Sequence, residues 1–323
     1  MPVPTPFAAG EPASPPRRRL LALTGAAALG AAAPSTGAGL RQPPLDLDLD
    51  RPADNLTAWM KMRASLEGQD VYFWFTGTLD VAIPGEPIRP IVTVETLILR
   101  RSVPQGPGVW HVTDWEASIY RDPATGEVAD SLVNPVTGAR VEPLHYREGP
   151  VTFAYRAGAQ PALVGLETPF DRKPAPFRQP WRVVGDTVWM IKDFYIWGRP
   201  QWLDIKEFPE ETPATPLNVA SIATMRASLD EVFDPTVAST RTDYFYQATS
   251  DFLPWMKLGQ RPGFLVWHEA GKKLWSLGEV PADTLAALRR IHPAWFARPV
   301  PWEGFTNLFF QYRDRERARR GRR

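Results

Sequence analysis

From Asp70 onward the chain is a succession of short runs in which β-branched and aromatic residues alternate with polar ones. "DVYFWFTGTLDVAI", "IRPIVTVETLILRRS" and "VWHVTDWEASIYRD" are the first three, and period-2 alternation of this kind predicts half-buried β-strands. Pro/Gly punctuation at Ile83-Pro84-Gly85 and between Pro104 and Gly108 separates them. "VTFAYR", "WRVVGDTVWMIKDFYIW", "NVASIATMRASL", "RTDYFYQATSDFLPWM" and "PGFLVWHEAGKKLW" continue the pattern. Helical spacing is rarer. Leu56, Trp59, Met60, Arg63 and Leu66 fall on one face of Asn55 to Leu66, and "PADTLAALRRIHP" starts at a proline and puts Leu285, Leu288 and Ile291 on one side. Strands at such short intervals predict a mainly β protein. Its expected core is a barrel-like or sandwich antiparallel sheet of about ten strands with two or three short helices, not a βαβ fold.

Two phrases in the middle of the chain are nearly identical. Asp122-Pro123-Ala124-Thr125-Gly126 is followed by Asn134-Pro135-Val136-Thr137-Gly138. Asp or Asn accepts hydrogen bonds from a turn backbone, proline presets φ at the next position, and glycine supplies the φ > 0 residue that closes the loop. The repeat therefore predicts two matched hairpin turns joining "EASIYRD", "EVADSLV" and "ARVEPLHY" into a meander, and does not mark a site.

The N-terminal segment has a different character. "SPPRRRLLALTGAAALGAAAP" places an arginine cluster before a weakly apolar run from Leu20 to Ala33 and then small residues. That is the plan of a secretory signal, and Arg17-Arg18-Arg19 before Leu20-Leu21 suits the twin-arginine type, an ordinary Sec signal being the alternative. The expected organisation is a signal peptide over residues 1–39, a linker over 40–54, one β domain over 55–312 and a basic tail over 313–323. The mature protein is expected in the periplasm, with the twin-arginine export machinery as a partner and no stable membrane span. Charge is balanced, 37 basic against 36 acidic residues, so no nucleic-acid partner is expected. The tail "RDRERARRGRR" is read as a solvated, frayed end.

"YRDPATGEV…NPVTGARVEPLHY" and "SDFLPWMKLGQRPGFLVWHEAGKKL" resemble the two most distinctive blocks of the DUF1838 domain family. The resemblance spans roughly residues 50 to 320 and implies an all-β fold in an often exported protein. It implies no particular chemistry.

Composition narrows the chemistry. There is no cysteine, and His111, His145, His268 and His292 are not at ligand spacing, so no disulfide, thiolate nucleophile or local metal motif is expected. Hydrolase-elbow, P-loop and dinucleotide motifs are absent as well, and no cofactor is expected. The informative residues are ionisable groups on otherwise apolar strand faces, where an isolated charge is costly. Lys192 shares a face with Val188, Met190, Phe194 and Ile196; Glu95 with Ile91, Leu97 and Leu99; His268 with Phe264 and Val266; and His111 with Trp115, Ala117 and Ile119, Asp114 and Glu116 lying opposite. Glu95, Lys192, His268, His111 and Tyr244 are the candidate catalytic residues, with a Glu95–Lys192 or Glu–His pair as the expected acid–base couple. Trp74, Trp115, Trp189, Tyr246 and Trp267, from a chain unusually rich in aromatic rings, are the candidate ligand-binding residues.

Three functions are open at this level. One is an enzyme of lyase, isomerase or hydrolase type acting on a hydrophobic or aromatic small molecule within the sheet. Another is a periplasmic carrier of such a molecule. The third is a structural protein of the cell envelope.

Overall fold

The computed structural model describes residues 47–164, 175–196, 202–217, 219–297 and 305–322. The expected signal peptide, the first part of the expected linker and Trp197 lie outside the described residues. From Gln42 to Arg323 the chain forms one compact unit.

The core is a ten-stranded antiparallel sheet, open rather than closed, made from two consecutive meanders. The first comprises β1 (Asp70–Ala82), β2 (Arg89–Gly106), β3 (Val109–Arg121), β6 (Arg147–Arg156) and β7 (Ala159–Leu163). The second comprises β8 (Trp181–Val184), β9 (Thr187–Ile196), β10 (Val219–Ser228), β11 (Asp243–Ser250) and β12 (Phe264–Leu274). They meet where β1 pairs with β12, giving the order β7-β6-β3-β2-β1-β12-β11-β10-β9-β8. Strand content, sheet type and strand number agree with the pattern of the sequence.

Five α-helices accompany the sheet among the described residues: α1 (Pro52–Arg63), α2 (Leu229–Phe233), α3 (Ala282–Ile291), α4 (Pro293–Phe296) and α5 (Leu308–Arg320). The expected first helix begins three residues early because Pro52, preset for helical φ, opens its first turn. Part of the expected linker is also core, since Leu49 is buried beside α1. The C-terminal arginines are not frayed. They extend α5, where Arg317 is bound bidentately by Glu207 and Arg319 by Glu142.

Both faces of the sheet are covered, which decides where the site lies. On the outer face Tyr72, Leu97, Leu99, Trp115, Ala117 and Ile119 pack under α3 and α4 through Ala287, Leu288 and Trp295. On the inner face one apolar cluster gathers Val71, Phe73 and Phe75 around α1. A second gathers Leu79, Val81, Val92 and Val94 with Leu203, Phe208, Trp255 and Tyr312. Between these two clusters the inner face is polar. α1 is fixed by lysine amino groups rather than by a terminal glycine. Lys273 Nζ donates to the carbonyls of Lys61 (2.7 Å) and Ala64 (2.6 Å) at its C-terminal end, and burial there pushes the amine well below its ordinary value. Lys61 does the same for α2 through the carbonyls of Val232 and Asp234.

The repeated phrase is the same turn built twice. In each copy glycine N–H donates to the Asp or Asn carbonyl at 2.8 Å, the Asp122 or Asn134 side chain accepts from the backbone two residues on, and Gly126 and Gly138 adopt φ of 74° and 71°. The strands they join are short, a single bridge Arg121–Val128 and a two-residue ladder of β4 (Leu132–Val133) with β5 (Arg140–Val141). The copies differ in one respect. Buried Asn134 also donates Nδ2–H to the Met256 carbonyl at 2.9 Å, a bond that aspartate cannot make. Asn134→Asp is expected to destabilise the fold by about 1–3 kcal/mol, read as a lower midpoint in urea. An unchanged midpoint would mean that water replaces the bond.

Candidate functional site

The polar belt of the inner face is assembled mainly from alternate residues of adjacent strands. β2 contributes Thr96 and Arg100, β3 contributes Asp114, Glu116 and Ser118, β6 contributes Glu148, and β12 contributes Glu269. β11 adds Tyr244 and Tyr246, and β9 adds Lys192. The sheet curls far enough that Lys192 Nζ lies 5.7 Å from the centroid of the Phe153 ring of β6, although many strands separate them in the sheet order. Within the curl is a cavity of about 240 Å³ lined by Asp114, Glu116, Glu148, Phe153, Lys192 and Tyr244 among others. That is smaller than the typical pocket for a drug-sized ligand.

One wall is an ion cluster. Arg100 holds Asp114 in a fork, Nε to Oδ1 at 2.5 Å and Nη2 to Oδ2 at 2.9 Å, and Arg63 of α1 reaches Oδ2 at 2.6 Å. The side chains of Arg63 and Arg100 are only 5% and 3% exposed. Burial alone would raise the Asp114 carboxyl, but the two guanidiniums outweigh it and hold the group below its ordinary value.

The carboxyls beside this cluster on the same face behave in the contrary way. Glu116 and Glu148 are direct partners across the β3–β6 ladder, a placement that repels if both are charged. Burial first, then the Glu116 charge, pushes Glu148 up to about 8. Glu148 is accessible by area because it opens onto the cavity, yet protein surrounds its carboxyl, so it is reachable and still reluctant to ionise. Glu116 is also raised, chiefly by desolvation and further by Asp114, while the Tyr146 hydroxyl that donates to its Oε1 opposes the rise. The pair thus shares its protons as a unit. Tyr244, pushed up to about 12 by burial, stays a neutral donor, stacked on Phe75 at 5.4 Å.

Of the candidates drawn from the sequence, Lys192, Tyr244 and Tyr246 line this cavity. The others do not, and the expected Glu95–Lys192 couple is overturned because the two project from opposite faces of the sheet. Glu95 is on the outer face, bound by Arg121 at 2.9 Å and by Thr284 of α3 at 3.0 Å. His268 is also outward, its side chain 48% exposed and 3.9 Å from Asp80. His111 shares the outer register with Trp115, which is buried against Trp295 at 6.2 Å. Trp74 packs on that same outer face, and Trp189 stacks on Phe245 away from the cavity. Trp267 points inward but beyond the belt, donating to Ser250 Oγ at 2.9 Å. The residues overlooked are Asp114, Glu116, Glu148 and Glu269. The signal for three of them was present, because Asp114 and Glu116 lie opposite His111 on their strand and Glu269 directly follows His268.

Among the described residues no group of three or more His, Asp or Glu side chains is placed to hold a metal ion. No helix among them is long and apolar enough to cross a membrane. No curated protein matches the chain. A family model does: the one described as "Protein of unknown function (DUF1838)" aligns with residues 68–309, which takes in the whole curled sheet, including β3 and β6 with Glu116 and Glu148. The chain belongs to the DUF1838 family.

Proposed function

We propose that the cavity performs general acid–base chemistry on a small molecule with an apolar or aromatic face, as a lyase, isomerase or hydrolase. The observation that carries this is the Glu116–Glu148 pair, two carboxyls face to face on a cavity wall, one of them held protonated up to about pH 8. A carboxylic acid with its pKa near neutrality is matched to proton donation at physiological pH. Glu148 is then the acid and ionised Glu116 the base. Lys192 lines the same cavity and stabilises negative charge that develops on the substrate, while Arg63 and Arg100 hold the Asp114 carboxylate on its wall. Phe153 and the Tyr244 and Tyr246 rings supply the apolar contact.

We further infer export to the periplasm through the twin-arginine leader, supported by Arg17-Arg18-Arg19 before the weakly apolar run. One preparation tests both ideas. The protein is isolated from the periplasmic fraction, its N-terminus sequenced, and the product incubated with small-molecule extract of the native cells. Expected are an N-terminus between Ala33 and Gly39, and a metabolite consumed by the wild type but not by Glu116→Gln. A metabolite retained unchanged by both proteins would replace the enzyme with a carrier. Retention of the leader in a cytoplasmic product would defeat the export proposal alone.

A further inference from the structure

Behind the cavity is a buried carboxyl that the acid–base reading leaves without a task. Glu269 is inward on β12, and on β1 its cross-strand partner is Gly77. Gly77 has to be glycine, because a Cβ there would meet the His268 carbonyl at 1.7 Å. From β2, Thr96 Oγ1 is hydrogen-bonded to Glu269 Oε1 at 3.1 Å. Thr96 Oγ1 is also 3.0 Å from Ser118 Oγ, its direct partner on β3, and Ser118 Oγ is 3.5 Å from Glu116 Oε1. The other ionisable groups around Glu269 are Tyr244 and Tyr246 from β11 and Tyr120 from β3. The Tyr120 hydroxyl is buried and makes no hydrogen bond.

Each hydroxyl has one hydrogen to give. With all three links hydrogen-bonded at once, the row can be ordered in only two ways. In one, the Glu269 carboxylic acid donates to Thr96, Thr96 to Ser118 and Ser118 to the Glu116 carboxylate. In the other, every donor is reversed and the acid is Glu116. We infer that Glu269, Thr96, Ser118 and Glu116 form a proton relay, with Glu269 as the store and Glu116 as the outlet to the cavity.

The exchange balances. The Glu269 proton passes to Thr96 Oγ1, the Thr96 proton to Ser118 Oγ and the Ser118 proton to Glu116. Both hydroxyls end neutral, and one proton and one negative charge have exchanged ends. Tyr146, donating to the same Glu116 oxygen, favours the charged form there and sets the resting order with the proton on Glu269. Burial without a cationic neighbour acts in the same direction, raising Glu269 well above an ordinary carboxyl. The Ser118–Glu116 link, at 3.5 Å, is the longest of the row. Thr96, Ser118 and Glu269 are positioning residues, because none of them lines the cavity.

The use of the relay rests on the acid–base reading of the cavity, but its existence is tested without any substrate. Infrared difference spectra of the whole protein transferred from H₂O to D₂O follow the carbonyl band of a protonated buried carboxyl, assigned to Glu269 by its loss in Glu269→Gln. In wild-type protein the band is expected to shift promptly as the proton exchanges through the hydroxyls. In Thr96→Val and in Ser118→Ala exchange is expected to slow by about tenfold, the factor corresponding to one ordinary hydrogen-bonded link. Thr96→Ser, which keeps a hydroxyl, restores the fast rate and excludes a mere packing defect. Equal exchange rates in wild type and Thr96→Val, or no Glu269 band at all, would overturn the relay. Either result leaves Glu148 as the acid, whereas failure to find any turnover would leave the exchange measurements standing.

Discussion

Asp114→Asn is expected to destabilise the protein by about 3–5 kcal/mol, a drop on the order of 10 °C in Tm. Asp114 is the carboxylate that faces both Arg63 and Arg100, and those guanidiniums are almost wholly removed from water. Asparagine retains the shape and one accepting oxygen but leaves two buried cations without a counter-charge. Such an arrangement costs far more than the intact cluster contributes, because the desolvation remains when the attraction has gone. The effect should spread beyond the substituted residue. Arg63 ends α1 and Arg100 also donates to the Arg63 carbonyl at 3.2 Å, so the helix that closes one end of the curl loses its anchor. A partly exposed pair is the internal comparison. Arg101 and Asp70 are 31% and 23% exposed, and Asp70→Asn is expected to cost less than about 1 kcal/mol. Thermal unfolding followed by circular dichroism compares the two, and equal losses would mean that Asp114 is better hydrated than its packing indicates.

Glu148→Gln is expected to have the largest effect on turnover, a loss of about 10²–10⁴ in kcat, with little change in the affinity for substrate. For the wild type, kcat/KM should fall as pH rises through about 8, where the acid loses its proton. The glutamine variant should lack that limb. The substitution should move stability in the opposite direction to activity. A glutamate in the unfolded chain ionises near its ordinary value of about 4.3, while Glu148 in the folded protein retains its proton to about 8. Between those limits the unfolded chain binds fewer protons, so stability declines as pH rises, and below them the difference vanishes. Glutamine cannot titrate, so the variant should be the more stable protein at pH 8 and show a flatter dependence from pH 5 to pH 8. A variant that is inactive and also less stable at pH 8 would indicate that the Glu148 carboxyl is ionised and structurally bonded.

The architecture was legible in the chain because alternation and turn chemistry are local properties. Each strand carries its own pattern, and D-P-A-T-G and N-P-V-T-G specify their loops without help from the rest of the molecule. The site was only half legible, for a reason in the layering. A period-2 pattern separates two faces but names the inner one only when the other meets water. Here the outer face is also buried, under α3 and α4, so Glu95 among Ile91, Leu97 and Leu99 looked as enclosed as any inward residue. In β12 the pattern favours the His268 face, although Leu265, Glu269 and Lys273 of the alternate face are buried. Glu148 offered no pattern at all. It follows a histidine-tyrosine loop and owes its role to the residue opposite, a relation that requires knowing which strand pairs with β3.

The seam between the two meanders has a consequence for synthesis. Its partners are the first and last strands of the sheet, with Tyr72 opposite Leu274, so this pairing closes a loop of about two hundred residues, a slow event for a chain. At a translation rate of about 5–20 residues per second, β1 leaves the ribosome some 10–40 s before β12 exists. Throughout that interval the nascent chain presents a thirteen-residue strand with one edge unpaired and both faces apolar. Protection of that edge by a chaperone, rather than any step within either meander, is what the yield of this protein should depend on.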